Sequence, residues 1–239
     1  MFSVLYKVHK LGINWIKLYS TSRASKYILT HEVGDHTSRD RIITLTDGVL
    51  AIVMTLLILE IVVPELSHSE AANELPKRLL ELWTDVWSYA TSFIILGFFW
   101  IGHDDQFHYI KRANRTLLWI TIFYLMFIAF IPFSTSLIGK YGDQQISVII
   151  YGINIIIVLV WGYLQWRYAT KEHRLVDSDL DPKFIAKMSR RLIVGLILYL
   201  IAIAVSFLNT QVSIILFALI PVYYLIPPQY FWFRFTKDK

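Results

Sequence analysis

The chain has 239 residues, of which 56% are hydrophobic and only 17% are charged, and its net charge at pH 7 is +5. A soluble domain has about half of its residues apolar and about a quarter charged, and here the apolar residues also fall in long blocks, so the composition indicates a polytopic membrane protein. The lack of any cysteine excludes disulfides, thiolate catalysis and Cys-ligated metal sites.

The chain begins with a basic segment that precedes the first apolar block. Lys7, Lys10 and Lys17 interrupt what would be the apolar core of a secretory signal, so we do not expect one. The segment is typical of an amphipathic helix on the membrane surface, and a basic tail without fixed structure explains it equally well. We expect three regions, which are a cytoplasmic or interfacial segment (1–38), a transmembrane domain (39–233) and a cytoplasmic tail (234–239).

Six apolar blocks are long enough to cross a lipid bilayer, which takes about 20 helical residues. They cover 43–63, 86–103, 116–138, 146–166, 191–208 and 212–231. The predicted fold is an all-α membrane protein with six transmembrane helices per subunit. Pro132 predicts a kink in the third span. Asp181 followed by Pro182 predicts the start of the fifth helix, and a tight turn around Asn209 joins the last two spans.

The basic residues predict the orientation of the chain in the membrane. Of the 23 Lys and Arg residues, only Lys77, Arg78 and Lys140 fall on one side of the six spans. The positive-inside rule then places both termini in the cytoplasm, and we expect a multi-pass protein of the cell membrane. The net positive charge is therefore explained by the orientation of the chain in the membrane, and no nucleic-acid partner is expected. The connection between the first two spans, on the outer side, is acidic, with Glu65, Glu70, Glu74 and Glu81.

The first span carries an acid, Asp47, a few residues inside its start. A charged side chain within a transmembrane helix costs free energy and by default indicates a functional role. Asp47 could therefore be an ion site, a proton relay or a structural contact. At about 100° per residue, Ile52, Thr55 and Leu59 gather on one face of the helix, and Asp47 lies roughly opposite. If that row lines a pore, Asp47 points away from it into the surrounding helices.

Polar residues of the second span end at the same depth as Asp47. Trp100 and His103 are within reach of it, and a buried carboxylate must be paired or hydrogen-bonded. We therefore predict that Asp47 pins the first span to its neighbours. His103, Asp104 and Asp105 together suggest a metal site, but adjacent residues diverge around a helix, so no metal is predicted.

The stretch "RIITLTDGVLAIVMTLLILEI" (41–61) resembles the signature R-x-x-x-F-S-D of the transmembrane-protein-175 family of potassium channels. The similarity continues, less specifically, in "WIGHDDQF" (100–107) and "IAFIPFSTSLI" (128–138). Leu45 and Thr46 stand where the family has Phe and Ser, and Thr keeps the hydroxyl. The resemblance is to bacterial members that have one six-span unit, and it implies a homotetramer in which the first span of each subunit lines a central pore.

The resemblance also implies roles for particular residues. Ile52 aligns with the tightest constriction of the pore, Thr55 with a threonine layer and Leu59 with a further apolar layer. The network that ties the first span to its neighbours falls on Arg41, Thr46 and Asp47, with Trp100 and His103 as expected partners. The permeant ion is potassium, and no cofactor is expected.

A pore built this way works through side chains. The sequence has no TVGYG-type loop, and the carbonyls of a continuous helix are used within it. A ring of Ile52 side chains would gate by dewetting, and Glu60 with the acidic connection would concentrate monovalent cations at the outer mouth.

Other interpretations compete with a channel. The Ile52–Thr55–Leu59 row is also typical of ordinary helix packing. A secondary transporter is the main alternative function, although it calls for inverted repeats and ionisable groups at the midplane, and we find neither. An embedded enzyme needs clustered acids or histidines inside the spans. The histidines are scattered and no acid pair lies deep, so we do not expect an enzyme.

Overall fold

The computed structural model describes residues 39–224, and this part of the chain is helical. α1 covers 39–56 and continues as a 3-10 turn over Leu57–Glu60. The helices that follow are α2 His68–Glu81, α3 Trp83–Tyr109, α4 Arg115–Ala129, α5 Ile131–Lys140, α6 Gln145–Thr170, α7 Pro182–Ser206 and α8 Thr210–Tyr224. The predicted N-terminal segment (1–38) and C-terminal tail (234–239) lie outside the described residues.

Five stretches of the described chain are long and apolar enough to cross a membrane. They are Arg39–Glu60, His68–Tyr109, Arg115–Lys140, Gln145–His173 and Pro182–Ser206. Residues 39–224 are therefore all-helical and typical of a multi-pass membrane protein, and these five stretches coincide with five of the six predicted spans. The sixth, 212–231, begins in α8 and runs beyond the described residues. The apolar part of α8 is shorter, Thr210–Pro221, so a count of six stays a prediction.

Three local signals in the sequence fix helix ends. Pro132 stands in the first turn of α5, so the third span is split into two helices, because proline lacks the N–H that a helix interior requires. The predicted start of α7 is confirmed, since the Asp181 Oδ1 accepts a hydrogen bond of 2.8 Å from the Lys183 N–H and Pro182 follows at the first helical position. Asn209 caps α8 through a 3.1 Å hydrogen bond from the Val212 N–H.

The first predicted span, 43–63, is wrong at its C-terminal end. The α-helix stops at residue 56, the 3-10 turn ends at Glu60, and Ile61 is extended. Pro64 disfavours helical backbone at Val63, and the tightened turn lets Leu57, which is fully buried, pack against α3 and α5.

Buried hydroxyl groups tie α3, α5 and α6 together within the hydrophobic core. The Thr135 hydroxyl donates to the Ser92 Oγ at 2.7 Å, and that oxygen lies 2.9 Å from the Tyr151 hydroxyl. A bilayer offers polar groups no water, so they must be satisfied inside the protein. On the far side of α6, Gly152 lets α7 approach closely, because a Cβ there would lie only 2.5 Å from the Ile203 Cγ1.

Candidate functional site

α1 has one face buried in its own subunit and another that is exposed. Ile42, Leu50, Val53 and Leu57 are at most 3% exposed. They recur at helical spacing and pack against the other helices of the bundle. The opposite side carries large apolar side chains that the described part of the subunit leaves uncovered, and Ile52 is 60% exposed.

The three residues predicted to line a pore lie on this exposed side of α1. Ile52 and Leu59 are 60% and 68% exposed, and Thr55 is exposed as well. The Thr55 hydroxyl donates a 2.8 Å hydrogen bond to the Ile52 carbonyl. Its proton is therefore used within the helix, while the lone pairs of its oxygen remain open to a cation. Leu59 projects from the 3-10 turn rather than from regular α-helix.

The structure joins the predicted network residues in two pairs across α1 and α3. The Trp100 indole Nε1 donates a 2.8 Å hydrogen bond to the Asp47 Oδ1, which is the strong type because its acceptor is charged. The Thr46 Oγ1 lies 3.4 Å from the His103 Nε2 and donates to the Ile42 carbonyl at 3.0 Å.

The two pairs differ in how far they are buried. Thr46 and His103 are buried, and the His103 imidazole stacks on the Phe107 ring with centroids 4.3 Å apart. Asp47 and Trp100 are exposed in the single subunit, with Trp100 at 47%. The expectation that the Asp47 carboxylate is buried among its own helices therefore fails for one subunit, because Asp47 lies at the edge of the α1–α3 contact.

Arg41 is not brought into this network within the described residues. Its side chain is exposed. At about 100° per residue its position on α1 falls on the same side as Ile52.

A different arginine, Arg39, holds the start of α1 to the end of α3. It donates to the Ile110 carbonyl at 2.8 Å and to the Phe107 carbonyl at 2.7 Å. The last carbonyls of a helix have no partner within it, and a basic side chain commonly satisfies them. Sequence reasoning missed this residue. The available signal was a second arginine, two residues before Arg41, at the level where α3 ends.

The connection between the first two spans contains a helix, α2, that packs loosely on the rest of the subunit. Glu60, the residue predicted for the outer mouth, closes the 3-10 turn and is partly exposed. α2 follows with no buried residue, and it starts with a capping box in which the Ser67 hydroxyl and N–H both donate to the Glu70 carboxylate. These hydrogen bonds lower the pKa of Glu70, so this acid keeps its charge at neutral pH.

Among residues 39–224, no group of three His, Asp or Glu side chains is placed to hold a metal ion. The exposed row of α1 offers apolar side chains and one hydroxyl. It is suited to contact with another subunit, with lipid or with an ion pathway.

Comparison with known proteins identifies relatives of the chain. The sequence model of the family described as "Endosomal/lysosomal potassium channel TMEM175" matches residues 41–132, which run from the first turn of α1 to the start of α5. A potassium channel of Chamaesiphon minutus is 29% identical over 197 residues, which are 81% of this chain and 96% of that protein. The human endosomal/lysosomal proton channel TMEM175 is 24% identical over 158 residues, which are 66% of this chain and 31% of the human protein.

A solved structure supports the same relationship. The crystal structure of a lysosomal potassium-selective channel TMEM175 homolog from Chamaesiphon minutus superposes with a TM-score of 0.70 and 25% identity, and the match covers 79% of this chain and 97% of that one. These relatives are ion channels and not enzymes. In both sequence and fold, the chain is therefore similar to the TMEM175 family of ion channels.

Proposed function

We propose that this chain is one subunit of a homotetrameric, potassium-permeable cation channel whose pore is lined by α1. The observation that carries the proposal is the exposed row of Ile52, Thr55 and Leu59 on a helix whose other face is buried. The row lies on the outside of the described subunit, so a pathway along it requires other copies of the chain. The relatives named as potassium channels support potassium as the permeant ion.

The proposed constriction is a ring of four Ile52 side chains. The carbonyls of α1 are engaged in helical hydrogen bonds, so they cannot replace the hydration shell of an ion as a loop filter does. An apolar ring blocks ions when it dries and passes them when it widens. The Thr55 layer, about one turn beyond Ile52, presents hydroxyl oxygens to an ion that has crossed the ring.

The surroundings of the row fit an entry path for cations. Glu60 stands one residue beyond Leu59, and α2 brings further acids to the outer side, among them Glu70 and Glu74. Negative charge at a mouth raises the local cation concentration, and salt screens the effect. We place both termini in the cytoplasm of a cell membrane, on the strength of the distribution of basic residues.

The experiment for this proposal is ion flux through purified protein in liposomes, with potassium, sodium and protons as the only permeant cation in turn. We expect potassium flux above that of protein-free liposomes and above sodium flux, together with a native mass of four subunits. The human relative is named a proton channel, so the proton measurement decides which ion dominates. Flux that saturates at low rates and is coupled to a pH gradient would instead favour the secondary transporter.

A further inference from the structure

A cavity of about 90 Å³ is lined mainly by residues of α3, α6 and α7. Most of its wall is apolar, with Ile95, Phe99, Val158, Leu159, Met188 and Leu192. It opens to the protein surface beside Ile101 and Asp105, which line it and are themselves exposed. A molecule dissolved in the surrounding lipid can therefore reach it without unfolding the bundle.

Two buried amides supply the polar part of the wall. The Gln165 Nε2 donates to the Gln106 Oε1 at 3.3 Å, and the Gln106 Nε2 donates to the Gly162 carbonyl at 3.3 Å. Both contacts are longer than the usual N–H···O hydrogen bond of about 2.7–3.2 Å. Each amide nitrogen has a second N–H for a further partner, and a hydroxyl group matches the amides because it both donates and accepts.

The charges at the opening favour a neutral occupant. Asp105 and Arg191 both line the cavity, so an acidic and a basic side chain stand there together. An ion entering the apolar interior would lose its hydration without a dedicated counter-charge, which is costly.

The volume limits the size of the occupant. An enclosed apolar cavity of about 150 Å³ binds benzene, so a cavity of about 90 Å³ that is open on one side accepts one ring with its substituent directed outward. We propose that this cavity binds a neutral molecule with one aromatic or similarly sized ring and a hydroxyl group, and that binding regulates α1.

The link to α1 is His103, which belongs to the cavity wall and to the network on α1. Its imidazole lines the cavity, and its Nε2 lies 3.4 Å from the Thr46 hydroxyl. One turn earlier on α3, Trp100 holds Asp47. Thr46 is six residues before Ile52, which is about 9 Å along the helix. A ligand that shifts α3 at His103 therefore shifts the part of α1 that carries the constriction, and this regulatory step rests on the proposed channel function.

Binding can be measured without ion flux, from the thermal stability of the purified protein with 4-propylphenol as the probe. We expect a saturable rise in Tm of about 5 °C or more at a hundredfold excess over Kd. Propylbenzene, which lacks the hydroxyl, should bind about tenfold more weakly. The proposal is overturned if the phenol gives no saturable stabilisation, or if propylbenzene stabilises the protein equally well.

Matched variants on α3 locate the site. Gly102 lines the cavity, and a Cβ there meets nothing within 4 Å, so Gly102→Leu fills the space and should weaken binding about tenfold or more. Gly97→Leu, also in open space but away from the cavity wall, should keep wild-type affinity. If Gly102→Leu does not fold, Gly162→Ala serves as the cavity variant instead. The added methyl group would contact Tyr124 and Gln106 at 3.8 and 4.0 Å without overlap. Equal affinities in the cavity and control variants would place the probe elsewhere and overturn the site.

The regulatory step is tested in liposomes at the same phenol concentrations. We expect wild-type and Gly97→Leu flux to change saturably with the Kd measured for binding, and Gly102→Leu flux not to respond. Saturable binding that leaves wild-type flux unchanged would refute the link to α1. If the protein carries no ion flux at all, the proposed function fails, while the binding measurement still decides the cavity.

Discussion

Replacing Ile52 by Asn is expected to raise potassium flux about tenfold and to lower the ratio of potassium to sodium flux. The physical reason is that an amide ring holds water, whereas four isoleucine side chains exclude it, and a barrier lowered by about 1.4 kcal/mol is a tenfold gain in rate. Ile52 is 60% exposed on the subunit, so the substitution leaves the hydrophobic core intact. The measurement is flux of each ion in liposomes containing equal amounts of folded protein.

Ile58→Asn is the matched control, since Ile58 is an isoleucine near the same end of the same helix and is 49% exposed. By a helical wheel at about 100° per residue it lies about 120° from Ile52 itself, and it projects from the 3-10 turn Leu57–Glu60. It should leave flux and ion preference near the wild-type values. Equal effects of the two substitutions, or no effect of either, would refute the constriction at Ile52.

Asp47→Ala is expected to destabilise the protein and reduce the yield of the assembled oligomer. The substitution removes the acceptor of the 2.8 Å hydrogen bond from Trp100. Hydrogen bonds to charged groups contribute about 1.5–3 kcal/mol when desolvated and less when exposed to water, so the loss depends on a neighbouring subunit covering this edge. We expect a fall in Tm of several degrees, measured together with the fraction of tetramer by native mass spectrometry.

Two further variants separate the hydrogen bond from other effects of Asp47. Trp100→Phe removes the N–H donor and should reproduce most of the fall in Tm seen with Asp47→Ala. Combining Trp100→Phe with Asp47→Ala should then lower the Tm little further. Ile52→Ala should leave the tetramer intact while changing its flux. Stable Asp47→Ala tetramers that differ from wild type only in ion selectivity would instead make Asp47 part of the ion pathway.

The sequence predicts those features that depend on neighbours along the chain. The cap at Asp181, the helix break at Pro132 and the turn at Asn209 are local effects of proline and of short polar side chains. The two faces of α1 follow from helical periodicity, which is why the exposure of Ile52 agrees with the helical wheel.

The remaining features depend on contacts between residues far apart in the sequence. The carbonyls that Arg39 satisfies belong to Phe107 and Ile110, and no local pattern distinguishes Arg39 from Arg41. The cavity likewise arises from where α3, α6 and α7 diverge, which periodicity along one helix does not describe. The exposure of Asp47 has the same origin, since it depends on how far α3 extends over α1.

The most direct test of a pore along α1 uses the absence of native cysteine in the chain. Single cysteines at positions 52, 55 and 59, and at the buried positions 50, 53 and 57, are treated with a membrane-impermeant cationic thiol reagent during flux. We predict that modification blocks flux from the first set, fastest at Leu59→Cys, and leaves the second set unaffected. Modification that blocks flux equally from both sets, or from neither, would contradict the assignment of this row to the ion pathway.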